Sequence, residues 1–259
     1  MRTIDPESRE TVGLLECVGC GHWWISPVPS QEDLVLMYAR ADAAVVEAGA
    51  RESYSGKTAM DSFQERVLAH ARNWDRSTCL EVGAGGGHLL RRLSEIGHRC
   101  YGIDPGQWVP EQAIVPRLED IPADVRFDVF ILQDVIEHLF DPRHFLSLLR
   151  ERAAAGAMLF CSFPCNESRP ARRYRGGWAM VRPFGHLHYF SVRSAAELLR
   201  RAGWSMRASQ KTRSIPIARS LRQFDLRTLA YELIKGGRDQ LNVTAVAEPR
   251  STDQARSEG

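Results

Sequence analysis

Between residues 78 and 163, short apolar runs alternate with stretches whose apolar positions recur every third or fourth residue. That alternation predicts strands interleaved with helices, the layout of an α/β sheet. Thr78 to Val82 reads as the first strand. A helix over Gly87 to Ile96 follows and is closed by Gly97. Arg99 to Ile103 reads as a second strand that ends on Asp104, and Gln112 to Val115 as a third. Phe127 to Leu132 is apolar without a break, as in a strand buried on both faces. Asp141-Pro142 opens a helix ending near Ala155-Gly156, and Ala157 to Phe163 is the next strand. Upstream, Gly56 to Trp74 predicts an amphipathic helix with Phe63, Val67, Leu68 and Ala71 inward.

Downstream, Ser194 to Ala202 predicts a helix with Ser194 and Glu197 as its capping box. Strands follow at Trp204 to Ser209 and Leu241 to Ala247, with a helix over Ala218 to Ile234 between them. Residues 1–30 are mixed and proline-punctuated, and Gln31 to Arg40 predicts a short helix. The expected division is an N-terminal appendage over 1–55, a main domain over 56–248 and a flexible tail over 249–259. Within the main domain, residues 164–190 are too long for a plain connection and read as a lid insertion.

Composition narrows the class. The chain has 259 residues, 44% hydrophobic, enough for one substantial core. No apolar run approaches the roughly 20 residues that span a bilayer. The start, MRTIDPESRE, lacks a secretory layout, and six irregularly spaced cysteines form no disulfide framework. The expectation is a cytoplasmic protein. The net charge of +2 hides an asymmetry. Ser168 to Arg238 holds 16 Lys or Arg against 3 acids, a local balance of +13, and the remainder carries −11. This is either a solvated basic face or a surface for an anionic substrate, a carrier or nucleic acid.

The candidate chemistry begins at CLEVGAGGGHLL, residues 79–90. A glycine-dense loop between a strand and a helix lets a ligand approach the backbone. The dinucleotide fingerprint G-x-G-x-x-G is only half met, because His88 stands at the third glycine. Glu81 precedes the loop, and Asp104 ends the second strand 21 residues after Gly83. Both acids fall at carboxyl ends of parallel strands, where such sheets bind ligands, and Asp104 is placed for a ribose diol. Glu81 either accepts from a cationic amine or caps the loop.

These pieces, with YGID (101–104), RLEDIP (117–122), FDVFILQDVIEHLFDP (127–142), MLFCSFP (158–164) and HLHYFSVRSAAELLRRAGW (186–204), resemble class I S-adenosylmethionine-dependent methyltransferases. The nearest look is to small-molecule enzymes similar to ubiquinone-biosynthesis O-methyltransferases. The resemblance implies a Rossmann-like, mostly parallel seven-stranded sheet with helices on both faces and an antiparallel last strand. It implies S-adenosylmethionine as cofactor. Glu81, Gly83, Ala84 and Gly85 would surround its methionine part, Asp104 would hold the ribose, and Leu118 and Glu119 would meet the adenine. Arg117 stands where the family has an acid. Gln133 and Asp134 would lie beside the sulfonium.

The implied function is methyl transfer to a hydroxyl on a small sugar or aromatic intermediate, anionic or carrier-linked. The alternatives are a nucleic-acid (tRNA) methyltransferase and a non-catalytic cofactor-binding module. A hydroxyl acceptor needs a proton acceptor. His138 is the first candidate, with pocket shaping as its other reading. His186 and His188, two apart and sharing a face if extended, read as a two-histidine base or a metal site, while the resemblance over HLHYFS implies a structural role for at least one of them. Glu137 reads as a helix-start residue or a pocket acid. In the lid, Arg169, Arg172, Arg173 and Arg175 read as an anion clamp or a basic loop. Tyr174, Trp178, Phe184 and Tyr189 read as stacking partners for a planar acceptor or as packing.

Cys17 and Cys20, in ECVGCGHWW, resemble half of a zinc ribbon, with His22 as a third ligand at best. A structural zinc needs four ligands. A relict knuckle packed by Trp23 and Trp24 is therefore the expectation, with no metal bound there.

Overall fold

The computed structural model describes residues 2–4, 11–30, 32–33, 62–106, 114–182, 185–212 and 239–249. Eleven strands in two sheets and five α-helices are seen among them. The first three strands are β1 (Arg2–Ile4), β2 (Thr11–Glu16) and β3 (Trp23–Ser26). The middle of the chain carries α1 (Ser62–Ala71), β4 (Thr78–Val82), α2 (His88–Glu95), β5 (Arg99–Ile103) and β6 (Ile114–Val115). Next come β7 (Phe127–Gln133), α3 (Pro142–Glu151) and β8 (Ala153–Pro164). The rest is α4 (Arg169–Tyr174), β9 (His188–Tyr189), α5 (Val192–Arg201), β10 (Trp204–Thr212) and β11 (Gln240–Ala247).

The main sheet has the order β10-β11-β8-β7-β4-β5-β6. β8, β7, β4, β5 and β6 pair in parallel, and β11 is antiparallel to both its neighbours. This is the seven-stranded, mostly parallel sheet that the pattern and the resemblance implied. The central strand β7 shows why it holds. Side chains two apart share a face. Val129 and Ile131 pack with Phe63 and Val67 of α1 and Leu89 and Leu93 of α2. Phe130 and Leu132 pack on the other face with Leu146 and Leu149 of α3 and Ala195 and Leu199 of α5. Every position from Val129 to Leu132 is thus spent on one core or the other, so the run carries no polar break.

Several boundaries differ from expectation. α5 starts at Val192, not Ser194. Ser191 is the cap, accepting from Ser194 N, and Ser194 completes the box. Glu197 instead pairs in solvent with Arg200 and Arg201. The helix from Pro142 ends at Glu151, and β8 begins at Ala153. The alanines after it have good helix propensity, but Gly156 at φ 72° suits no helix. β10 runs three residues further than expected, to Thr212, paired with Gln240 on β11.

The start of the chain holds strands that its proline-punctuated pattern did not announce. β1, β2 and β3 form a second sheet of order β1-β2-β3-β9, with β9 coming from after the lid. Trp23 and Trp24 pair with Tyr189 and His188. A small core of Leu14, Trp23, Ile25, Ala171, Trp178, Leu187 and Tyr189 fills the space beneath. The expected helix over 218–234, most of that over 31–40, and the stretches 56–61 and 112–113 lie outside the described residues. No helix among the described residues is long and apolar enough to cross a membrane.

Candidate functional site

The glycine loop leaves the tip of β4 and turns through left-handed backbone at Gly83 (φ 72°), Gly85 (φ 51°) and Gly87 (φ 67°). Gly83 N donates to Ile103 O at 2.8 Å, which ties the loop to the end of β5. A Cβ on Gly83 would lie 2.9 Å from Val135 Cγ2, so the loop sits directly against the turn that follows β7. Asp104, at the tip of β5, accepts from Gly85 N at 2.7 Å and from Gly106 N at 2.8 Å. A carboxylate has about four acceptor sites, so these two amides orient it without exhausting it. Glu81 is buried at the tip of β4. Loop and acids together form a backbone-lined rim carrying two carboxylates.

Further along the same sheet edge, Leu118 is buried and Glu119 exposed in a short 3-10 turn. Arg117 caps that turn: its N–H donates to Asp120 at 3.1 Å, and its guanidinium lies 3.7 Å from the same carboxylate. Gln133 ends β7. Asp134 takes a left-handed φ of 51°. Its N–H donates to Ser162 O, and its carboxylate accepts from Gln240 Nε2 at 3.0 Å.

Opposite the rim, the turn after β7 carries Glu137 and His138. Glu137 O accepts from Leu187 N at 2.8 Å and His188 N at 3.1 Å, so the segment before β9 is laced onto this turn. His138 Nδ1 lies 2.6 Å from Gly185 O, and His186 Nδ1 lies 2.8 Å from Met180 O. A carbonyl can only accept, so each Nδ1 carries the proton and each Nε2 is the basic nitrogen. The two rings meet edge to face, centroids 4.6 Å apart. Glu137 is fully buried beside them, with Oε1 3.8 Å from His138 Nε2. Burial, then Asp134, pushes its carboxyl well above the ordinary carboxylate range. Burial depresses both histidines, His186 to about 3.

Similarity to known proteins fits this arrangement. A family model described as "Methyltransferase domain" matches residues 54–209, more than half of the chain. The chain belongs to this methyltransferase family. Among curated relatives, a ubiquinone biosynthesis O-methyltransferase of Pseudoalteromonas translucida is 33% identical over 104 residues, 34% of this chain and 44% of that one. A tRNA U34 carboxymethyltransferase of Aliivibrio salmonicida is 31% identical over 111 residues, 37% of this chain and 34% of that one. The chain thus spans less than half the length of these relatives. Among solved structures, a 1,6-didemethyltoxoflavin-N1-methyltransferase of Burkholderia thailandensis, with 1,6-didemethyltoxoflavin and S-adenosylhomocysteine bound, aligns at a TM-score of 0.60. It is 15% identical, covering 92% of this chain and 96% of that one, and establishes the fold.

Set in the methyltransferase fold, the expected site residues fall into three groups. Glu81, Gly83, Ala84, Gly85, Asp104, Gln133 and Asp134 stand at the carboxyl ends of β4, β5 and β7, and Leu118 and Glu119 in the turn after β6. His138 and His186 come together, and Glu137 joins them. His188 does not: its Nδ1 lies 3.1 Å from His22 Nε2, so the expected His186/His188 pair is replaced by two separate histidine pairs. The reason is that Leu187 between them is buried, with its amide taken by Glu137.

The lid residues divide as well. Trp178 and Tyr189, expected to stack on an acceptor, are 2% and 0% exposed and packed into the small second core, which corrects that reading. Tyr189 OH donates to His186 O and supports the histidine turn from beneath. Tyr174 is 41% exposed, and Arg169, Arg172 and Arg173 are exposed beside it. Arg175 is held by Glu16 at 3.1 Å and lies over the Trp23 ring, tying the lid to the N-terminal sheet. Phe184 lies outside the described residues.

At the knuckle, hydrogen bonds from the Cys20 and Gly19 amides hold the Cys17 thiol below its ordinary range. The His22 ring faces away from the cysteines, against His188, Trp24 and Phe190, so it is no third ligand to them. The knuckle is docked by Ser191 Oγ donating to Cys20 O and Asn166 Nδ2 donating to Gly21 O.

Proposed function

We propose that the chain catalyses methyl transfer from S-adenosylmethionine to a hydroxyl of a small biosynthetic acceptor, a sugar or an aromatic ring. The observation that carries this reading is the Asp104 carboxylate, held 2.7 Å from the Gly85 amide on a loop of left-handed glycines. That oriented acid beside bare backbone suits a ribose diol next to an adenosyl group. Glu81 and the Gly83–Gly85 backbone would hold the methionine part, Leu118 and Glu119 the adenine, and Gln133 and Asp134 the region of the sulfur. When bound, the cofactor supplies an activated methyl on a positively charged sulfur, with a neutral leaving group.

The chain's own task is to orient the acceptor and exclude water. The turn carrying Val135 lies against the glycine loop, which supports reading the neighbouring pair His138 and His186 as the acceptor side. Part-exposed His138 is the proton acceptor of this reading, because burial holds His186 at about 3, too weakly basic at pH 7, and leaves it to orient the acceptor. His188 acts on the acceptor only by holding the roof. Exposed Tyr174, Arg172 and Arg173 are the lid groups available to a planar or anionic acceptor. Calorimetry with S-adenosylhomocysteine tests the reading, followed by turnover against a panel of sugar and phenolic acceptors. Micromolar binding lost in Asp104→Ala supports it, and no binding by the wild type sinks it.

The exposed lid arginines favour one second reading, an RNA acceptor, in line with the tRNA-modifying relative. Turnover on bulk tRNA with steep salt dependence, and none on small molecules, would select it.

A further inference from the structure

We infer that Glu137, His138 and His186 form a binding site for one divalent transition-metal ion at the acceptor side of the pocket. Their ligand atoms lie within 4.8 Å of one another, and they are the one such group among the described residues. Three independent features point to a ligand.

First, Glu137 is fully buried, and neither carboxylate oxygen has a hydrogen-bond partner among the described residues. A fully buried carboxyl with both oxygens unpartnered is costly whether charged or neutral, and such groups are retained where something pairs with them. No Lys or Arg forms an ion pair with it among the described residues; its nearest basic atom is His138 Nε2, at 3.8 Å.

Second, both imidazoles are prepared as metal ligands. His138 donates Nδ1–H to Gly185 O and His186 donates Nδ1–H to Met180 O. Fixing the outer proton on a carbonyl turns Nε2 into the donor atom and locks the ring, the outer support that metal-bound histidines almost always carry.

Third, the three ligands come from two segments that are already joined. The Glu137 carbonyl accepts from the amides of Leu187 and His188, which brackets His186 against the turn. Bond lengths of about 2.0–2.2 Å place tetrahedral ligands about 3.3 Å apart, so binding draws these atoms together by up to about 1.5 Å. The His138 side chain is 27% exposed, so the cluster is not sealed from solvent.

Two imidazoles and one carboxylate select a borderline ion such as zinc, iron(II) or cobalt(II) over magnesium, whose preferred ligands are all oxygen. The site itself stands on geometry alone. Its use rests on the methyl-transfer reading: an ion there would bind the acceptor hydroxyl and lower its pKa, and His138 would then act as a ligand in place of a base.

The test is cobalt(II) titration of chelator-stripped full-length protein without cofactor, read by visible absorption and by thermal melting. The expected result is about one ion per chain with tetra- or five-coordinate d–d bands and a raised Tm. Glu137→Gln and His186→Gln each lose the bands and the Tm increase, while His70→Gln, on the exposed face of α1, keeps both. A wild-type spectrum that stays that of the aqueous ion overturns the proposal, whatever the variants do. So does binding that survives both substitutions or vanishes in Cys17→Ser. Cofactor affinity is measured separately by calorimetry, so failure of the metal site and failure of the methyl-transfer reading give different results.

Discussion

The two sides of the pocket are built by different rules. The glycine-loop rim is made of backbone and two acids contributed by β4 and β5, adjacent parallel strands about twenty residues apart. The roof around Glu137 and His186 is made of side chains from the turn after β7, the lid, β9 and, through β3, the start of the chain. The rim therefore depends on local conformation, whereas the roof depends on packing between distant segments. The comparison teaches where each function can change. The rim has few tolerated substitutions, while the roof can be re-cut by altering contacts far from the chemistry.

The largest effect that would sharpen this contrast is Trp23→Ala. Trp23 is 4% exposed in the small core under the roof, and truncating such a ring costs about 3–5 kcal/mol. Acceptor turnover is expected to collapse while S-adenosylhomocysteine affinity stays within a few-fold, measured by calorimetry; equal losses in both would break the distinction. Next, Asp104→Ala removes a charge-assisted acceptor worth about 1.5–3 kcal/mol, so cofactor affinity should fall about 10- to 150-fold without loss of the N-terminal sheet by circular dichroism.

Third, Gly83→Ala forces a side chain into left-handed backbone, a cost of about 1–2 kcal/mol, and drives its Cβ to 2.9 Å from Val135. Cofactor binding should weaken and Tm should fall together.

The smallest effect is a pH dependence. Burial, then His188, holds His22 down at about 3, below the ordinary 6.5. The unfolded chain therefore takes up a proton that the folded chain refuses, and the stability this histidine contributes is complete above pH 6.5 and is lost as pH falls toward 3. The slope is at most about 1.4 kcal/mol per pH unit. Urea midpoints at pH 7 and pH 5 should differ less in His22→Gln than in wild type, and an unchanged difference would place the titration elsewhere.

The rim was legible from sequence because its causes are local. An apolar strand, glycines where φ must be positive, and an acid at the next strand tip all lie within a short window. The main sheet was legible for a related reason: Val129 to Leu132 must satisfy two cores at once, and only an unbroken apolar run does so. The roof was hidden. Glu137 looks like a helix-start acid, and its burial follows from Leu187 and His188 closing over it from fifty residues away. The pair His186 and His188 suggested one site by spacing, but Leu187 is anchored between them and each ring finds a different partner. The one local cue to the roof was VIEHL, an acid and a histidine set inside an otherwise apolar stretch. Trp178 and Tyr189 are binding-type residues spent on packing, a choice made by the strands β2 and β3, which Cys17, Cys20 and the prolines disguised.

The pairing of β3 with β9 also sets an order of assembly. His22 and His188 are 166 positions apart in the chain. On the ribosome, at about 5–20 residues per second, the hairpin of β2 and β3 waits on the order of ten seconds with one edge unsatisfied. Its tryptophans stay without their final neighbours until β9 emerges. The two cysteines beside that waiting edge are then at their most accessible, so nascent chains are the stage at which a holdase chaperone has the most to protect.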